Sequence, residues 1–249
     1  MNIDGLNDRL VFVFWTGDNQ MSKDRLACLD TIANTGCDVC LVDCDSLASW
    51  INPAHRMHPA YGLLSAVHRS DYLRAYFMHH YGGGYSDIKF TTESWVPSFE
   101  QLISSDALGM GYPELHDGVA NVKRSVVAGQ AYFLERKSSR LFNRLAYHTM
   151  RALHGRMIGN GAFIFRRQTH FTSKWLYTLE RRLDIVHPHL KTHPARHPRD
   201  RAGVDHGAGP SQYPVPWSFL LGDILGPLGL MNHRRILRNL PPPSFENYQ

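Results

Sequence analysis

The most constraining feature of the chain is its opening pattern. Leu10 to Trp15 (LVFVFW) is a short apolar run of β-formers that ends in Thr16-Gly17-Asp18. Such a run reads as a buried central strand with a loop at its C-terminal end. From Ser22 to Asn34, Leu26, Leu29, Ile32 and Ala33 recur at helical spacing, and Gly36 follows as a C-cap. Val39 to Val42 is a second strand. A β-α-β start predicts an α/β domain around a mostly parallel sheet, with right-handed crossovers and flanking helices.

The rest of the chain fits one domain. With 249 residues, 43% of them hydrophobic, it is long enough to bury a full core. Ala60 to Tyr81 reads as a long helix with Leu63, Ala66, Leu73 and Phe77 as its core stripe, and the glycine run 82–84 stops it. Strands are expected at Tyr85 to Phe90, Ala107 to Tyr112, Ala131 to Glu135 and Gly161 to Arg166. Helices are expected at Ser138 to Leu153 and Thr172 to Asp184. The His- and Pro-rich stretch from His187 to Pro216 reads as loop. The domain is expected over residues 1–240, with a Pro-rich tail at 241–249.

Several functional classes fall away on composition and motif. No apolar stretch approaches the ~18 residues of a spanning helix. The charged N-terminus reads as the lead into a strand and not as a signal peptide, so a soluble, cytoplasmic protein is expected. Cys37 and Cys40 form a C-x-x-C without a second pair at zinc spacing, and CDVCLVDCD alternates like a buried strand. The net charge of +5 comes without a nucleic-acid module, so no nucleic-acid partner is expected. The charge is densest from Arg181 to Arg201. That stretch is either a solvated loop or an attraction for a phosphate-bearing substrate or an anionic membrane face. A dinucleotide-binding fingerprint would need glycine where Asp87 stands, and a P-loop would need G-K-[ST].

The chemistry concentrates in His68 to Lys89 (HRSDYLRAYFMHHYGGGYSDIK). Asp71 and Arg74 lie three apart on one side of the helix, at the edge of its apolar stripe. The glycines then turn the chain into Tyr85-Ser86-Asp87, so a carboxylate and an aromatic arrive at a strand end, where ligands bind in open α/β sheets.

Ser70-Asp71, Arg74, Gly82-Gly83, Tyr85 and Asp87 together strongly resemble the sugar-binding region of glycosyltransferases that carry the DXD motif. These include capsular polysaccharide synthesis proteins, yeast-type α-mannosyltransferases and the glucosylating domains of large clostridial toxins. The capsular group is the most similar, through 158–163 (IGNGAF) and 213–217 (YPVPW). The resemblance implies a GT-A fold and transfer of a sugar, mostly with retention, from a UDP- or GDP-linked donor to a glycan or lipid-linked acceptor. A non-catalytic nucleotide-sugar or glycan binder on the same fold is the alternative. Peripheral membrane association is compatible with either.

Carried over residue by residue, the resemblance gives Asp87 and Arg74 as candidate catalytic residues; Lys89, where the family has its second Asp, is a third on the strength of its charge. Trp15, Gly17, Asp71, Arg74, Tyr85 and Asp87 would bind the sugar donor. Asn160 and Trp217 are candidate acceptor or sugar contacts. The family's Mn²⁺ or Mg²⁺ is held mainly by the second Asp of Asp-x-Asp, but this chain reads Asp87-Ile88-Lys89. An ammonium cannot ligate a metal. Either Asp87 and Asp223 hold the ion with phosphate and water, or Lys89 replaces it and the chemistry is metal-independent. Glu114, Asp117 and Asp223 are the further candidate carboxylates. Ala at position 87 or 74 is expected to abolish transfer with the fold nearly intact.

Overall fold

The computed structural model describes residues 9–17, 19–207 and 209–244. β1 (Leu10–Trp15), α1 (Lys23–Thr31) and β2 (Asp38–Asp43) form the expected β-α-β unit. Ser22 caps α1 through its side chain, and Gly36, at φ 68°, closes the 3₁₀ turn that follows. Left-handed backbone at that point is why glycine stands there. After α2 (Ala66–His80) come β3 (Gly83–Ser86), α3 (Val96–Ile103) and β4 (Gly109–Pro113). A three-stranded meander follows: β5 (Val126–Val127), β6 (Gln130–Phe133) and β7 (Arg136–Ser138). Then come α4 (Arg140–Ala152), β8 (Ile158–Phe165), α5 (His170–Thr192), α6 (Gly222–Met231) and β9 (Ile236–Leu237).

The fold is α/β. Its main sheet is mixed, six-stranded and mostly parallel, in the order β2-β1-β3-β8-β4-β9. Only β8 runs against its neighbours. Alternation along β1 divides the core. Phe12 and Phe14 face α2 and α5, with Phe77, Tyr85 and Phe163. Val11 and Val13 face α3, with Trp95, Phe99 and Ile164. The sheet is therefore covered on both sides.

Several expectations are corrected. α2 starts at Ala66, capped by Ser65, and not at Ala60. It is buried around most of its circumference, so Asp71 lies inside the packed face and not at its edge. Gly83 and Gly84 belong to β3, which ends at Ser86. Gly84 brings β3 against α3: a Cβ there would lie 3.1 Å from Val11 and 3.4 Å from Trp95. β2 is an edge strand and not a buried one: Cys40 within it is half-buried and Cys44 just beyond it is exposed.

Residues 131–135 contribute to the meander and not to the main sheet. α5 continues through Pro188 to Thr192, because Val186 and Leu190 are fully buried on the core and their packing outweighs the helix-breaking proline. Arg182, in the stretch read as most charged, is fully buried. The segment past Leu240 packs as well: Pro243 is buried and the Ser244 amide donates to the Phe90 carbonyl at 2.7 Å. Residues 245–249 lie outside the described residues.

Candidate functional site

A cluster of charged side chains sits where the C-terminal end of β3 meets the middle of α2. Helical spacing places Ser70, Asp71 and Arg74 on neighbouring positions of one face. Strand alternation points Tyr85 toward α2, and Asp87, two residues on, lies on the same side. β8 runs the other way, so its first residues extend past the end of β3. The Asp87 amide donates to the Gly161 carbonyl at 2.7 Å. Residues 70–74, 85–89 and 160–161 thereby converge.

Asp87 is the centre. Its Oδ1 accepts from Arg74 Nη2 at 2.9 Å and from the Tyr85 hydroxyl at 2.7 Å. Its Oδ2 lies 3.5 Å from Lys89 Nζ. Arg74 also donates through Nη1 to the Asn160 carbonyl at 3.2 Å, and its guanidinium stacks 4.5 Å from the centre of the Tyr85 ring. Asp71 Oδ1 is 3.6 Å from Arg74 Nη1. All four charged side chains are largely withdrawn from solvent, Asp71 most of all.

Burial sets the electrostatics. It pushes the Asp71 carboxyl up to about 7; Arg74 pulls it back and Asp87 adds to the rise. Burial opposes the Arg74 charge, but its acidic neighbours, Asp87 and Asp71 among them, outweigh it and raise its pKa. Tyr85 is raised by burial and stays a phenol. The cluster therefore holds two cations against one carboxylate, with Asp71 poised near neutrality.

Tyr112, which the residue pattern did not single out, completes the floor. Its hydroxyl accepts from the Gly161 amide at 3.2 Å. A Cβ on Gly161 would lie 3.1 Å from Asp87 Oδ2 and 3.2 Å from that hydroxyl, and one on Gly159 would meet the Tyr112 ring at 2.0 Å. The glycines around Asn160 thus make room for the cluster. Only the β4–β8 pairing brings Tyr112 there, so no local signal could have found it.

The other candidates lie around this centre or apart from it. Trp15 and Gly17 stand at the end of β1, on the same sheet edge. The Trp15 indole donates to the Asn19 carbonyl at 2.8 Å. Asn160 joins through its backbone carbonyl, while its side-chain amide faces Gly222. Trp217 is half exposed, with the Arg201 guanidinium 4.9 Å from its ring centre. Asp223 is fully buried, accepts from the Ser218 hydroxyl at 2.7 Å and lies 3.9 Å from Arg182. Glu114, at the end of β4, is pushed up to about 7 by burial, against the pull of the Leu115 amide and His154. Asp117 is exposed and pairs with Arg151. Among the described residues, no group of three or more His, Cys, Asp or Glu side chains is placed to hold a metal ion.

No protein-family model, curated protein or solved structure matches the chain. Among the described residues, no helix is long and apolar enough to cross a membrane.

Proposed function

We propose that the chain is a glycosyltransferase of GT-A type, moving a sugar, with retention, from a UDP- or GDP-linked donor to a glycan or lipid-linked acceptor. The observation that carries this reading is the convergence of Asp71, Arg74, Tyr85, Asp87 and Lys89 on one end of the parallel strands. That is the edge where such sheets take ligands. A carboxyl near neutrality, a carboxylate and two cations are what sugar hydroxyls and a diphosphate require.

The Mn²⁺ or Mg²⁺ of DXD glycosyltransferases does not fit these residues. Both Asp87 oxygens are engaged, one by Arg74 and Tyr85 and the other facing Lys89. An incoming divalent ion would have to displace two positive groups. Asp223, the other proposed ligand, is committed to Ser218 and the buried Arg182.

In the proposed reaction the bond from the anomeric carbon to the diphosphate oxygen breaks and its electron pair stays on the diphosphate, while the acceptor hydroxyl oxygen bonds to the anomeric carbon from the same face and passes its proton to the departing diphosphate oxygen. Lys89 meets that charge. A unit charge at ~4 Å in an effective dielectric of ~20 contributes about 4 kcal/mol, roughly a thousandfold in rate if all of it acts at the transition state. Arg74 is spent on Asp87 and the Asn160 carbonyl, so its part is to position Asp87.

Release of nucleotide diphosphate from a panel of UDP- and GDP-sugars tests this. Turnover should persist in chelator and fall by two to three orders of magnitude, on the order of the Coulomb estimate, in Lys89→Ala. Activity lost in chelator and restored only by Mn²⁺ or Mg²⁺ would remove the metal-free reading. The closed pairing of Asp87 also suits a chain that binds the sugar donor without turning it over, which binding without release in the same assay would reveal.

A further inference from the structure

α4 is an amphipathic helix that leaves part of its apolar stripe outside. Its inward face carries Met150, with Ala146 and Tyr147 beside it on a small core, and one polar residue, Asn143. Asn143 is fully buried, donating to the Val122 and Tyr132 carbonyls at 2.9 and 3.0 Å and accepting from the Ser138 hydroxyl at 2.8 Å. Every polar atom of that amide is satisfied, which fixes the rotation of the helix. Leu141 and Leu145, one turn apart, are thereby held outward, 67% and 60% exposed. Phe142, half exposed beside them, packs edge-on against Phe133 of the meander, with ring centres 5.0 Å apart. Rotation cannot bury the leucines without stranding Asn143.

The surroundings are basic. Arg140 and Arg144 rise from the same helix, and Arg136 and Lys137 from the adjoining β7; all four are exposed. Of the acids near α4, Glu135 is engaged by Lys174 at 2.7 Å and Asp117 pairs with Arg151 at the far end of the helix at 2.8 Å. The stretch 181–201, which looked densest in charge, instead sends Arg182 into the core.

We propose that α4 and β7 form a docking surface for an anionic phospholipid bilayer. The leucines enter the headgroup boundary and the arginines meet lipid phosphates, the division of labour of an interfacial helix. The charge argues against a second copy of this chain as the occupant, since pairing the same face would set arginines against arginines. A soluble polyanion would satisfy the arginines and leave the leucines in water. The proposal does not depend on the sugar-donor reading.

Vesicle flotation tests it, with phosphatidylcholine alone and with phosphatidylglycerol added. The wild-type chain should float with the anionic vesicles and stay behind with the neutral ones. Arg140→Gln/Arg144→Gln should weaken partition about 25-fold, roughly fivefold for each basic residue. Leu141→Ser/Leu145→Ser should weaken it roughly tenfold or more. Both pairs are exposed, so circular dichroism and melting temperature should match wild type. Undiminished flotation of the leucine variant would overturn the proposal. So would an absence of flotation, whether accompanied by a dimer that the leucine variant dissolves or by heparin binding that it leaves intact.

Discussion

Replacing Asp71 by Asn should make the protein more stable at pH 8 and leave it unchanged near pH 4. The carboxyl is buried at the centre of α2, with Arg74 3.6 Å away, and its pKa stands at about 7 against an ordinary 3.8. A carboxyl raised in the folded state favours folding while it is protonated. That contribution is complete below pH 3.8 and is lost as the pH climbs through 7. The gap corresponds to roughly 4 kcal/mol across that window, at about 1.36 kcal/mol for each pH unit. Asparagine has nearly the same shape and nothing to ionise, so it escapes the loss.

In a chain of this length 1 kcal/mol moves the melting point by about 2–4 °C, so the variant should melt up to roughly 8–16 °C higher at pH 8. Urea titrations and thermal melts at pH 4, 5, 6, 7 and 8 would trace the difference. A variant that is less stable than wild type at pH 8 but equal at pH 4 would refute the reasoning, because Asp71 would then be an ionised partner that Arg74 stabilises.

Arg74→Ala should cost about 3–5 kcal/mol of stability as well as activity, since it leaves two buried carboxyls facing each other; denaturant titration reads this directly, and it replaces the expectation of an almost intact fold. Gly161→Ala should lower turnover by at least tenfold, on the order of 1.4 kcal/mol at the barrier, with little change in melting point, because the new methyl presses on Asp87 Oδ2 and the Tyr112 hydroxyl. Asp223→Ala should destabilise by about 3–5 kcal/mol by stranding the buried Arg182; a stable variant whose activity falls would return Asp223 to the site. His68 is buried between Ser65, Tyr213 and the Pro216 carbonyl, and burial lowers its pKa to about 4. The stability it provides is present above pH 6.5 and lost as the pH falls through 4, about 3 kcal/mol, and His68→Gln should flatten that part of the acid limb of a pH–stability curve.

What the sequence displayed was local. The LVFVFW strand, the Gly36 cap and the spacing that gathers Asp71, Arg74, Tyr85 and Asp87 follow from helix and strand periods acting within 20 residues. What it concealed was set by distant partners. Asp71 and Arg74 read as a rim pair because neither strand alternation nor helix spacing reports that α5 and the sheet enclose α2 from two sides. The stretch from His187 read as loop from its His and Pro content because the burial of Val186 and Leu190 that carries α5 to Thr192 is a tertiary fact. α3 escaped because it has only eight residues and no side-chain cap at Trp95 to mark its start. The outward leucines of α4 escaped because an apolar stripe is ordinarily assigned to the core, and only the bonds of Asn143 reveal which face turned inward.

The most direct test is a structure of the chain with a nucleotide sugar bound, grown in chelator. The sugar hydroxyls should lie within hydrogen-bond reach of Asp71 and Asp87, with the diphosphate against Lys89. A nucleotide sugar lodged elsewhere, with the Arg74–Asp87–Lys89 contacts undisturbed, would show these residues to be a structural ion cluster and nothing more.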